Sequence, residues 1–355
     1  MITGIEYYFI PALKNSLKQK STLMNYRGFG NTNLKVSEIG MGCSRFGGMI
    51  DQKDTKEIVN TLLQAFDRGI NFYDTADMYG NGESETLIGR TFKDKRDRVI
   101  IASKAGYCLS STGSFATKIK PLLKPLLRPL IRWFRPMKKS LLQARSTQLY
   151  QNFSAPYLTQ AIEASLRRLQ TDYLDIFQLH DPPASLLESG DIIETLENLK
   201  SQGKIRYYGV GCRTVEDALI CLKHPGFSSL QVEINLLHQE AITRLLPLAK
   251  KSNVAIIARQ PFASGLIVKP LIDTKSTQYS FTEPEMQNKL NTIEKYQLLS
   301  NKGSRTITQV ALQFVLKFDS VSVVVAGMSN RKQLEENISA LTAPPFTEDE
   351  LAILY

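Results

Sequence analysis

The sequence predicts an α/β fold of the (β/α)8 TIM-barrel class, with an N-terminal hairpin and a long basic insert after strand 3. Three observations carry this. Short apolar runs recur along the chain, helix-like segments fall between them, and successive runs end in an ionisable side chain. Strands alternating with helices build a parallel sheet. Ionisable groups at the C-terminal ends of such strands place an active site there. A doubly wound open sheet is the competing architecture.

Residues 25–36 read as a hairpin, with Gly30, Asn31, Thr32 and Asn33 as its turn. Strand-like runs then fall at 38–41, 70–74, 99–103, 173–179, 205–210, 230–234, 254–258 and 321–326. Between them, Leu158, Ala161, Ile162, Ser165, Leu166 and Leu169 keep one helical face apolar. Ser154 is placed to cap that helix, with Pro156 in its first turn. A later helix carries Leu334, Ile338 and Leu341. It is entered through Asn330, Arg331, Lys332 and Gln333, close to capping-box spacing.

With 355 residues, the chain can bury a large core, and 43% hydrophobic with 22% charged residues is ordinary for a globular protein. No apolar run is long enough to span a bilayer. Cys43, Cys108, Cys212 and Cys221 match no zinc spacing and no disulfide framework, so they read as reduced thiols. His180, His224 and His238 are too few and too scattered for a metal centre. The start of the chain lacks the order of an export signal, because Lys14, Lys18 and Lys20 follow its apolar stretch. These readings place the protein in the cytoplasm. Residues 1–23 read as an extension ahead of a barrel spanning 24–355.

The net charge of +10 is local: residues 108–147 hold nine Lys/Arg and no Asp/Glu. A near-neutral barrel with one basic insert is not a nucleic-acid binder. The insert, 108–150, far exceeds an ordinary βα loop, and its recurrent prolines (Pro121, Pro125, Pro129) argue against one continuous helix. Its position predicts a lid over the barrel mouth. A contact for a membrane surface or an acidic partner is the second reading, and a disordered excursion the third.

The chemistry is concentrated in Asp74, Tyr79, Lys104 and His180, each at or just after a strand end. A free tyrosine is a poor acid at neutral pH. An adjacent ammonium stabilises the phenolate and makes the proton easier to release. Lys104 can supply that charge, Asp74 can orient Lys104, and His180 can donate to the same oxygen. Together they form a site that protonates an oxygen gaining negative charge.

Three segments carry a resemblance: 69–85 (GINFYDTADMYGNGESE), 165–180 (SLRRLQTDYLDIFQLH) and 203–210 (GKIRYYGV). They resemble the signatures of the aldo-keto reductases. The likeness runs from about Tyr26 to Leu341, interrupted by the insert. It implies a (β/α)8 barrel that reduces carbonyls with NAD(P)H and without a metal. Tyr79 matches the family's general acid, and Asp74, Lys104 and His180 match the rest of its tetrad.

A Rossmann site is not expected, because Gly40, Met41 and Gly42 are followed by Arg45 where that motif needs glycine. By resemblance, Gln231 holds the carboxamide of the cofactor. The usual Ser-Asn pair after the fifth strand is Gly211 and Cys212 here. Arg259 replaces an aromatic that stacks on nicotinamide, and its planar guanidinium can stack instead. Phe262 and Gly265 belong to the matching pyrophosphate loop. Residues 327–337 resemble the adenosine-binding turn and helix, with Gly327, Ser329 and Gln333 at its start. Glu336 and Asn337 match adenine contacts. Ser329 stands where an arginine is common, and Arg331 and Lys332 are placed to hold a 2′-phosphate at the helix N-terminus. The resemblance therefore implies NADPH, with NADH the alternative, and a small-molecule carbonyl substrate. Two other functions stay open: a regulatory subunit that binds a partner through its insert, and a sugar or alcohol dehydrogenase that works oxidatively.

Overall fold

The computed structural model describes residues 24–47, 54–109, 149–268, 283–301 and 304–354. The extension 1–23 and most of the basic insert lie outside the described residues.

Eight parallel strands close into a barrel. In chain order they are β3 (Ile39–Gly42), β4 (Phe72–Asp74), β5 (Ile100–Ala105), β8 (Leu174–His180), β9 (Ile205–Gly211), β10 (Ser229–Glu233), β11 (Ala255–Arg259) and β12 (Val321–Gly327). β12 pairs back onto β3, so no edge remains. Closure excludes the doubly wound open sheet. Every predicted run is a strand, with ends shifted by one or two residues; the 70–74 run begins pairing only at Phe72.

Alternation along the strands divides the core. One set of side chains faces outward against the helices. The other fills the barrel: Phe72, Ile100, Ala102, Ile176, Ala255, Ile257, Val323 and Val325 form one buried cluster with Phe29, Leu34 and Val36. The last three come from the N-terminal hairpin, β1 (Tyr26–Gly28) and β2 (Lys35–Ser37), which plugs the N-terminal end of the barrel. Gly30 explains how closely the plug seats: its φ is +54°, and a Cβ there would lie 2.6 Å from the Ala255 nitrogen. Arg27 staples the hairpin to the barrel, donating to the carbonyls of Leu316 at 2.7 Å and Val321 at 2.8 Å and pairing with Glu38 at 3.0 Å.

The helices follow their sequence signals with two differences. Ser154 occupies the N-cap of the helix Ala155–Leu169, but its side chain makes no capping bond; the Asn152 side chain accepts from the Ser154 nitrogen instead. Asn330 caps Arg331–Ser339 by accepting from the Gln333 nitrogen at 2.9 Å. The Gln333 side chain completes no box, because its oxygen takes the Ser329 nitrogen and hydroxyl. The two ends of the insert are tied together by a short antiparallel ribbon, β6 (Tyr107–Leu109) with β7 (Leu149–Gln151), directly after β5. Among the described residues, no helix is long and apolar enough to cross a membrane, and no cluster of potential ligands could hold a metal ion.

Candidate active site

The C-terminal ends of the strands surround a cavity of about 690 Å³. Asp74, Tyr79, His180, Gln231, Arg259, Phe262, Gly265, Gly327, Ser329 and Gln333, all anticipated from the sequence, line it. Lys104 lies beneath it, fully buried.

Lys104 fixes the geometry. Its ammonium donates to both Asp74 oxygens at 2.7 Å and to the Thr75 carbonyl at 2.9 Å. It also lies 5.2 Å from the centre of the Tyr79 ring. The register of β4 and β5 sets up this contact, because Asp74 pairs with Ala102, two residues before Lys104 on the same face. Burial pushes the Lys104 pKa down, but Asp74 and Tyr79 outweigh it, and the net direction is up. The lysine is therefore a permanent cation.

Tyr79 differs from the expectation drawn from the sequence. Lys104 does favour its phenolate, but burial is the larger effect, and its pKa is raised overall. At neutral pH the proton stays on the phenol. His180 meets Tyr79 edge to face at 6.0 Å. Burial, then Lys104, then Arg259 lower its pKa to about 3, so it is a neutral imidazole. Its Nδ1 is buried with no hydrogen-bond partner.

Gln231 donates from Nε2 to Asp74 at 2.7 Å, which orients its amide oxygen as an acceptor in the cavity. Arg259 ends β11 and donates to the Cys212 carbonyl at 3.2 Å. Cys212 itself is buried, with its thiol against the Val210 carbonyl. The loop after β11 bends through four residues with positive φ, Gln260, Ala263, Ser264 and Gly265, which opens the cavity alongside Phe262. The run from Gln231 past Arg259 to Gly327, Ser329 and Gln333 fits a dinucleotide laid across the barrel mouth. Besides Lys104, four anticipated residues lie outside the lining. Arg331 is exposed, 4.0 Å from Glu335, and Lys332 is exposed beside it. Glu336 accepts a hydrogen bond from the Thr306 hydroxyl. Asn337 is buried and tethers the helix to the Gly327 carbonyl at 3.5 Å.

Sequence reading missed Ser44, Asp181 and Gln260 in the lining, and it assigned Arg45 no place there. Asp181 had a signal: it follows His180 at a strand end, where the other site residues were sought. Gln178 was also missed. It pairs in register with Lys104, and both atoms of its buried amide lack a partner. Nothing in its apolar surroundings sets it apart in the sequence.

A family model described as the aldo/keto reductase family matches residues 38–355. An aldo-keto reductase from Bacillus halodurans, solved in its holo form, superposes with a TM-score of 0.70 at 28% identity; the match covers 93% of this chain and 95% of that one. L-galactose dehydrogenase of Arabidopsis thaliana is 28% identical over 90% of this chain and 89% of its own length. An NADH-specific methylglyoxal reductase of Escherichia coli is 25% identical over 88% of this chain and 92% of its own. A closed barrel with these side chains at its mouth and a family match over nearly its whole length lead to one assignment: the chain is an oxidoreductase that belongs to the aldo/keto reductase family.

Proposed function

We propose that this protein is a cytoplasmic reductase that converts an aldehyde or ketone to an alcohol with NADPH, using Tyr79 as general acid. The observation that carries the reading is the convergence of Tyr79, Asp74 and His180 on one cavity over the buried Lys104 ammonium.

When bound, a reduced nicotinamide supplies the hydride. Gln231 and Arg259 would hold and cover its ring, and the loop through Phe262 and Gly265 would take the pyrophosphate. The remaining work falls to this chain. Tyr79 holds its proton at neutral pH and releases it as negative charge grows on the substrate oxygen. Lys104, already charged and fixed by Asp74, stabilises the phenolate left behind without having to reorganise. Neutral His180 adds a hydrogen bond without placing a second positive charge beside Lys104. In the oxidative direction the same tyrosine would act as base; the dehydrogenase name of one relative favours keeping that direction in view.

Support for NADPH comes from Arg331 and Lys332, two exposed cations in the first turn of the helix whose Gln333 reaches the cavity. A panel of aldehydes and ketones with NADPH and NADH, followed by the absorbance of the reduced nicotinamide, tests the reading. Tyr79→Phe should lower kcat by about a thousandfold and leave the fluorescence titration of NADPH unchanged. Undiminished turnover would remove Tyr79 from the mechanism.

A further inference from the structure

Asp181 is a charged group in the cavity that the mechanism above does not use. It follows His180 directly and lines the same cavity. Its φ is +50°, a left-handed conformation that a side chain enters only when its surroundings impose it. Two bonds impose it here. Its nitrogen donates to the Gly211 carbonyl at 2.9 Å, and the Gln151 side chain donates to its carbonyl at 2.7 Å. Gln151 belongs to the ribbon at the base of the insert, so the strand end and the ribbon together fix this backbone.

Among the described residues, the Tyr107 hydroxyl meets Asp181 Oδ2 at 3.3 Å, a long hydrogen bond. Oδ1 lies over Gly211, 3.9 Å from where a Cβ would be, so a residue with no side chain leaves this approach open. Tyr107 in turn packs edge to face on His180 at 5.0 Å, on the same imidazole that meets Tyr79. The series Tyr79, His180, Tyr107, Asp181 therefore links the acid to a strained, half-buried acceptor that lines the same cavity.

We propose that Asp181 selects the substrate by accepting a hydrogen bond from a hydroxyl group close to the reacting carbonyl. The inference rests on the carbonyl-reductase reading above and names its substrate class: hydroxylated aldehydes or ketones. An apolar aldehyde would cover the carboxylate without offering a donor, which leaves a charge desolvated and unpaired. A keto acid would bring a second negative charge against it.

The test compares glyceraldehyde, propanal and pyruvate as substrates of the wild type, Asp181→Gly and Asp181→Asn. Glycine suits the backbone and removes the carboxylate. Asparagine tolerates the same φ and keeps an acceptor oxygen. In the wild type, kcat/KM for glyceraldehyde should exceed that for propanal and for pyruvate by tenfold or more. Asp181→Gly should lose most of the preference over propanal, mainly through a higher KM for glyceraldehyde, with propanal within threefold of wild type. Asp181→Asn should keep part of it. Thermal melting and NADPH fluorescence show that each variant is folded and binds cofactor. A preference that survives in Asp181→Gly, or a parallel fall for both aldehydes, overturns the role of Asp181 and leaves the reductase reading standing. Wild-type protein that oxidises neither NADPH nor NADH with any of these compounds overturns the reductase reading and this inference with it.

Discussion

The two ends of this barrel are built from the same strands and have opposite characters. At the N-terminal end, Phe72, Ile100, Ile176 and Val323 interdigitate with Phe29, Leu34 and Val36 of the hairpin, all buried. Within a few residues along those strands, the interior turns polar: Asp74 and Lys104 are buried as a pair, while the Gln178 amide and the His180 Nδ1 have no partner among the described residues. The first end is packed for cohesion. The second keeps charges out of water, which costs stability unless the charges are paired. One barrel thus separates the groups that hold it closed from the polar groups at its cavity, and substitutions at the two ends should fail in different ways.

Lys104→Met tests the point where the two roles meet, and it carries the largest expected effect. It removes the ammonium that two Asp74 oxygens accept from and strands a buried carboxylate. Breaking such a pair costs about 3–5 kcal/mol. Turnover should fall by about a hundredfold or more, because the phenolate of Tyr79 loses its counter-charge. Asp74→Asn combined with Lys104→Met should recover much of the stability and none of the turnover. A double variant no more stable than Lys104→Met would show that the pair does not carry the cost.

Phe72→Ala opposes this at the other end. The ring is fully buried between Gly40 and the hairpin, and its loss leaves a cavity in the apolar plug. The expected cost is about 3–5 kcal/mol, measured by urea unfolding. In the folded fraction, kcat/KM should stay within threefold of wild type. A large loss of activity there would mean that the plug sets the geometry of the mouth, and the separation of roles would not hold.

How much of this the sequence revealed follows the same division. The strands and the gathering of Asp74, Tyr79, Lys104 and His180 at one end were legible because apolar runs announce strands and an ionisable residue at or just after the end of a run is conspicuous. The closing of β12 onto β3 was not written in any local pattern; it follows from register summed around eight strands. The net direction of the Tyr79 pKa was not legible for a similar reason. Its neighbour Lys104 is visible in the sequence, whereas the burial that outweighs that neighbour is a property of the assembled fold. Asp181 was passed over because a solvated aspartate after a strand is commonplace, and only its φ and its bonds to Gly211 and Gln151 set it apart.

Asp77 gives the smallest of these effects and sharpens the contrast, because it belongs to the catalytic turn but acts on stability. Its nitrogen donates to the Lys104 carbonyl at 3.0 Å, and its side chain accepts from the Tyr157 hydroxyl at 3.4 Å. Burial, and after it the charge of Glu85, raise its pKa from 3.8 to about 7. Between those values the folded protein holds a proton that the unfolded chain has released. Stability therefore falls as pH rises from about 4 to about 7, by up to about 1.4 kcal/mol for each pH unit. His180 works in the opposite sense: neutral down to about pH 3 in the fold, it adds stability as pH rises towards 6.5. Asp77→Asn isolates the first effect by removing a titration and leaving His180 in place. At pH 4 the variant should melt close to wild type, and at pH 8 it should melt several degrees higher. An equal shift at both pH values would mean that Asp77 is charged in the fold throughout, and that the mouth of the barrel tolerates another carboxylate without cost.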